Sequence, residues 1–120
     1  MRILVTGSRD WQDARVIGQW LDYYSHQVLE PAHLVVVHGG CPTGADKMAD
    51  SWARTQGLSI EAHPAQWGVH GRAAGPIRNA HMVQLGADVC LAFIRNGSVG
   101  ASHTAALAEG AGITTRRFIA

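Results

Sequence analysis

Residues 34–53, LVVVHGGCPTGADKMADSWA, change hydrophobic period at a glycine-rich turn, and that change limits what the chain can build. Leu34-Val35-Val36-Val37 is an unbroken run of apolar, mostly β-branched residues, which suits a strand covered on both faces. His38-Gly39-Gly40-Cys41-Pro42-Thr43-Gly44 cannot extend it. From Ala45 onward Ala45, Met48, Ala49, Trp52 and Ala53 recur at helical spacing on one face. In a parallel α/β sheet a loop between such a strand and helix lies at the strand's carboxyl end. There the helix aims unpaired backbone N–H groups and the positive end of its dipole at whatever binds, so an anionic ligand is expected.

Two phosphate motifs fail here. A P-loop needs Lys and then Ser or Thr directly after its last glycine, whereas Gly44 is followed by Ala45 and Asp46, with Lys47 two positions late. The dinucleotide fingerprint GxGxxG is also absent. Thr43 and Asp46 have the spacing of a capping box, which would stabilise the helix with no ligand present, so those two side chains have a structural reading beside the functional one. Gly39 and Gly40 speak for close approach of backbone to a ligand.

The same grammar recurs along the chain. Residues 2–6, RILVT, read as a strand and Gly7-Ser8-Arg9-Asp10-Trp11 as the turn after it. Asp10 and Asp13 have helix-start spacing, and Val16, Ile17, Trp20, Leu21 and Tyr24 form an inner helix face. Trp11 falls in the loop, where its ring either stacks on a base or packs against the following helix. A connection over 27–33 is broken by Pro31, and Gln56-Gly57 reads as a helix C-cap before a strand at 58–62.

Residues 63–75 form a long loop with His63, Trp67, His70 and Arg72; His63 and His70 lack a third ligand at a metal-site spacing, so no metal is expected. Pro76 opens a helix at its first position, with Ile77, Ala80, His81, Gln84 and Leu85 along one stripe. Arg78 and Asn79 stand in its first turn, an unfavourable place for a cation that a bound anion, or a neighbouring acid, would compensate. A strand over 87–94 runs into Arg95-Asn96-Gly97-Ser98-Val99-Gly100-Ala101-Ser102, a third loop of glycines and hydroxyls. A helix with Thr104, Leu107, Ala108 and Ala111 inward then ends at Gly110 and Gly112, and residues 113–119 make the last strand. About five strands alternating with four helices over 1–120 predict a single α/β domain, a doubly wound parallel sheet with helices on both faces.

A formal charge of +1, with ten Lys and Arg scattered among nine acids, disfavours an extended nucleic-acid surface. Cys41 and Cys90 read as reduced thiols of a cytoplasmic protein, with Cys41 near a helix start either a plain loop residue or an activated thiolate. No apolar run reaches membrane length and the N-terminus reads straight into a strand, so no membrane association is expected.

VTGSRDW (5–11), VVHGGCPTGADKMADSWA (36–53), HPAQW (63–67), GRAAGPIRNAHMV (71–83) and GADVCLAF (86–93) together resemble the small, YspA-like proteins of the SLOG family. That family is Rossmann-like and related to the LOG phosphoribohydrolases and to DprA. The resemblance implies a site for a nucleotide or nucleotide-derived molecule, with no further cofactor, in a phage or bacterial sensor or sequestering module. It implies a lining of Gly7, Ser8, Arg9 and Trp11, of Gly39, Gly40, Thr43, Gly44 and Asp46, of Arg78 and Asn79, and of Gly97, Ser98 and Gly100. The alternative it carries is hydrolysis of a nucleotide or its N-glycosidic bond, with Arg78 holding phosphate and Asp46 or Glu109 as the acid.

One segment departs from the pattern. Relatives usually carry PGGxGT where this chain has Asn96-Gly97-Ser98-Val99-Gly100-Ala101, which loses a threonine hydroxyl that Ser98 or Ser102 would have to replace. The glutamate that LOG enzymes place three residues after that threonine is Thr104 here, and a hydroxyl cannot supply negative charge to a developing oxocarbenium ion.

At 47% apolar and 16% charged residues the chain has apolar helix surface to spare, and a homo-oligomer is expected. Light scattering at micromolar concentrations checks this: an oligomer is the expected result, and a monomer refutes it.

Overall fold

A computed structural model describes residues 1–30 and 33–120; the expected break at Pro31 lies outside the described residues. Strand β1 (Arg2–Gly7) leads into helix α1 (Ala14–Ser25), then β2 (Val35–His38), α2 (Gly44–Thr55) and β3 (Ser59–Ala62). A short helix α3 (Trp67–His70) and a 3₁₀ turn at Gly71–Ala73 precede α4 (Ala74–Gln84), and β4 (Val89–Ile94), α5 (Val99–Gly110) and β5 (Thr114–Ile119) complete the chain. The five strands form one parallel sheet in the order β3-β2-β1-β4-β5, a doubly wound, Rossmann-like arrangement.

Alternation along the central strands assigns the two layers. Ile3 and Val5 of β1, with Val89, Leu91 and Phe93 of β4, face α1 and α2, meeting Ile17, Leu21, Ala45, Ala49 and Ala53. Leu4 and Cys90 face the other way, onto Met82 and Val83 of α4 and Ala108 of α5. Small residues on α2 let that helix lie close to the sheet. Helix α1 starts where Asp13 accepts hydrogen bonds from the backbone N–H groups of Arg15 (3.1 Å) and Val16 (3.2 Å). Helix α2 stops as expected at Gln56-Gly57. Gly57 takes φ +69°, the left-handed conformation that lets Leu58 donate back to the Ala53 carbonyl at 2.9 Å.

Helix α4 differs from the sequence reading. It begins at Ala74, so Pro76 is its third residue and Arg78 and Asn79 fall in the second turn. Proline fits anywhere in a first turn, because those N–H groups have no acceptor within the helix. Its buried face is Gly75, Asn79, Met82 and Val83, and the stripe that includes Ile77 and Leu85 lies largely on the outer side, with Ile77 45% and Leu85 47% exposed. The loop over 63–75 is also no plain loop, since α3 and the 3₁₀ turn occupy most of it.

Met82→Ala should therefore destabilise the fold by about 2–5 kcal/mol, as a truncated core methionine does, whereas Leu85→Ala should fall within about 0.5 kcal/mol of wild type. Urea denaturation reads both, and the reverse ranking would mean that α4 is turned about its axis.

Candidate functional site

The winding reverses between β1 and β4, so their two following loops diverge and leave a crevice at the carboxyl edge of the sheet. A cleft of about 1030 Å³ lies there, walled by the loops after all four of the first strands and by the starts of α4 and α5.

The β1 loop is stapled to the β4 loop. The Ser8 backbone N–H donates to the Phe93 carbonyl (2.9 Å), the Arg95 N–H donates to Ser8 Oγ (2.7 Å), and Ser8 Oγ donates to the Arg95 carbonyl (3.2 Å). Ser8 borders the cleft, yet its hydroxyl is committed to this staple. Arg9 reaches over the Trp67 ring, its guanidinium carbon 5.9 Å from the ring centre. Arg95 donates to the Asp10 carbonyl at 2.8 Å and Asn96 to the Asp10 carboxylate at 3.0 Å. Trp11 takes the packing alternative: it is 5% exposed, edge-on to Phe93 at 5.4 Å, with Nε1 donating to the Asp13 carbonyl (2.9 Å).

The central loop is held from inside. Asp46 Oδ2 accepts the backbone N–H groups of Gly39 (3.1 Å) and Cys41 (3.2 Å), and Gly40 N–H donates to His38 Nδ1 at 2.9 Å. The last bond leaves Nε2 of His38 to carry the proton and donate to Asp50 (2.8 Å). The expected capping box does not form, since Thr43 makes no side-chain cap bond and Asp46 turns back to the loop instead. The N–H of Ala45, at the start of α2, donates to the Ser8 carbonyl at 3.3 Å. The loop before α2 thus spends its Gly39, Gly40 and Cys41 N–H groups on internal acceptors. Burial drives the Asp46 carboxyl above its ordinary range, opposed by the Cys41 and Gly39 N–H groups and by nearby His38 and Arg78.

Arg78 ties two loops together. Its Nη1 donates to the Gly39 carbonyl and, at 3.2 Å, to the His63 carbonyl, while Nε donates to Asn79 Oδ1 at 2.7 Å. Burial lowers its pKa, against the attraction of Asp46. A Cβ at Gly39 would displace this guanidinium and crowd Asp46 Oδ2 at 3.0 Å, so glycine there lets Arg78 reach the loop.

Helix α5 is different. Ser98 caps it with no side-chain hydrogen bond, and no acid stands in its first turn. Ser98, Val99, Gly100 and Ala101 border the cleft beside Arg95 and His103. Gly97 shapes the preceding turn at φ +62° without lining the cleft, and Gly44 lies beneath it against Ser8. Ser102 does not border the cleft, which leaves Ser98 as the hydroxyl there.

Two positions weighed for hydrolysis lie elsewhere. Thr104 is fully buried and donates to the Gly100 carbonyl at 3.1 Å. Glu109 is ten residues into α5, about 15 Å along its axis, where it pairs with Arg117 at 2.7 Å. It is therefore corrected from candidate acid to surface ion pair. The sequence reading did not single out His38, His103 or Pro64; a histidine closing an apolar strand just before two glycines was the available signal for His38. Among the described residues no group of three or more His, Cys, Asp or Glu is placed to hold a metal, and no helix is long and apolar enough to cross a membrane.

Residues 1–70 match the family model YAcAr, described as the YspA, cpYpsA-related SLOG family. The chain is also similar to the Gene 61 protein of Mycobacterium phage D29, 46% identical over 122 residues that cover 98% of this chain and 95% of that protein.

The wall near Arg78 is braced by a triad of Arg2, Glu61 and His63 at the end of β3. Arg2 grips Glu61 through both guanidinium nitrogens (3.1 and 2.7 Å) and His63 Nε2 joins it at 2.8 Å, which holds Glu61 down at about 2. A carboxylate depressed on folding contributes stability that is present above its unfolded pKa and lost as the pH falls toward its folded one. Wild type should lose this contribution between the ordinary 4.5 and about 2. Thermal melts over that window should show a shallower pH dependence for Glu61→Gln; parallel profiles would refute it.

Proposed function

Because the chain belongs to the YspA, cpYpsA-related SLOG family, whose membership points to nucleotide-related binding or processing, we propose that it binds a nucleotide or nucleotide-derived molecule in the cleft. It acts as a sensor or sequestering module of phage or bacterial source. The observation that carries this reading is the start of α5. Like α4, it starts at the cleft with neither an acid in its first turn nor a side-chain cap, but α4 has Pro76, which carries no N–H, at its third position, and Arg95 flanks α5. A helix N-terminus in that state favours phosphate oxygens. Trp67, half exposed at the rim, offers a face for a base, with Arg9 above it.

A second reading, hydrolysis of the N-glycosidic bond, rests on Asp46 alone, a buried carboxylate at the cleft with a raised pKa. Its Oδ2 already holds two backbone N–H groups, and with Glu109 at the far end of α5 no second carboxylate joins it from that helix. Binding without turnover is the better-supported reading.

Val99 is exposed at the first position of α5, so Val99→Glu should fold normally. It should weaken binding of nucleoside phosphates by about tenfold or more through like charge at the helix end, and leave the parent nucleosides unaffected. Calorimetric titration of a nucleotide panel measures this, and equal loss for nucleosides and nucleotides would refute the phosphate position. Incubation with adenosine monophosphate and its N6-substituted analogues should release no free base; release abolished in Asp46→Asn would establish the hydrolase reading instead.

A further inference from the structure

The central glycine loop has the outline of a phosphate cradle and the wrong charge for one. Gly39 and Cys41 N–H groups point at Asp46, Gly40 N–H at His38, and Ala45 N–H at the Ser8 carbonyl. The N–H groups of Gly39, Gly40 and Cys41 are thus taken, and the group that takes two of them is itself an anion. A phosphate placed against Gly39–Cys41 would meet a buried carboxylate that already holds two of the N–H groups it would need.

Asp46 nonetheless has capacity left. Its side chain is 6% exposed, Oδ2 takes both backbone bonds, and Oδ1 has no hydrogen-bond partner among the described residues. No side-chain nitrogen or oxygen sealed from solvent lacks a partner among those residues, so Oδ1 is not sealed, and Asp46 borders the cleft. A nearly buried carboxylate oxygen open to a cleft accepts hydrogen bonds and gives none. Arg78, a neighbouring cation, makes no ion pair with it among the described residues; its Nη1 and Nε serve Gly39, His63 and Asn79.

Resting on the nucleotide reading above, we propose that Asp46 Oδ1 binds the ribose hydroxyls of the ligand, so that the cleft selects ribonucleotides over their deoxy counterparts. A nucleotide offers hydroxyl donors on the sugar and N–H donors on some bases. Phosphate at α5 and a base on Trp67 at the rim leave the sugar, which joins them, to meet the deep wall. The charged acceptor makes each hydroxyl contact stronger than a neutral one would. A deoxy sugar leaves this oxygen desolvated and unpaired, which is the larger part of the discrimination.

Calorimetric titration with the four ribonucleoside 5′-monophosphates and 5′-triphosphates, each against its 2′-deoxy and 3′-deoxy counterpart, tests this on the wild-type chain. The tightest ribonucleotide should bind at least about tenfold better than one or both counterparts, the scale of a lost hydrogen bond to a charged group. Asp46→Asn keeps an oxygen for the Gly39 and Cys41 N–H groups and removes the charge, so the preference should shrink to about threefold or less. Equal affinity for ribose and deoxyribose forms overturns the assignment and leaves nucleotide binding standing. A loss of similar size on removing an exocyclic base amine, with none on removing a hydroxyl, overturns it in favour of a base contact. No binding of any nucleotide at millimolar concentration overturns this proposal and the nucleotide reading together.

Discussion

The carboxyl edge of the sheet depends on one tie, the Asp46 carboxylate accepting the N–H groups of Gly39 and Cys41. Around it the peptide groups of the loop are engaged in sequence. His38 C=O accepts from His63 N–H at 2.8 Å, Gly39 C=O from Arg78, and Gly40 N–H donates to His38 Nδ1. The Gly39–Gly40 peptide is thus held at both ends, by a guanidinium on its oxygen and an imidazole on its N–H. Hydrogen bonds in such a chain polarise one another in a low-dielectric setting. A loop of two glycines, with the largest backbone freedom of any residue pair, becomes an ordered wall.

That tie decides the polarity of the whole cleft. Three long helices, α2, α4 and α5, begin at its rim, and all carry the same intrinsic positive end. At α2 the chain supplies its own anion from the third helical position and caps Ala45 with the Ser8 carbonyl. At α5 it supplies neither. The same backbone physics therefore leaves an acceptor at one side and free donors at the other. A ligand with hydroxyls in its middle and phosphate at its end matches that division.

The staple between Ser8 and Arg95 does related work across the reversal of winding. Parallel strands diverge into loops that bend to opposite faces, and nothing in the sheet ladder itself holds those loops in register. One buried hydroxyl, donating to and accepting from the same residue, does so here. Arg78 performs the corresponding service between the β2 and β3 loops. Several groups with the look of ligand contacts are thus also the fasteners that give the cleft its shape.

Much of the architecture was legible because it is encoded locally. The unbroken run Leu34–Val37 could only be a strand covered on both faces, and Ala45, Ala49 and Ala53 could only face a sheet. Gly57 and Gly112 mark helix ends through their own backbone preference, with φ of +69° and +80°. The spaced stripe of helix α4 lies about half a turn from its buried face. Its outer stripe carries Ile77 and Leu85 while its inner one includes Gly75 and Asn79, so hydropathy pointed the wrong way. An asparagine goes inside only when a partner such as Arg78 awaits it, and that partner's placement depends on the β2 and β3 loops.

The site divides along the same line. Sequence alone brought Gly7, Gly39, Asp46, Arg78 and Ser98 to one edge, because alternation of strand and helix in a parallel sheet puts every strand-to-helix loop on the same side. What each residue does there was decided in three dimensions. Trp11 and Phe93 share a core only because β1 pairs with β4 across some eighty residues of chain. Thr43 and Asp46 have capping-box spacing, yet Asp46 bonds Gly39 and Cys41 because the loop folds back within its reach. Spacing is a property of the chain and fixes which groups can meet. Which bonds form among them is settled by competition among all the donors and acceptors that the fold gathers at one place.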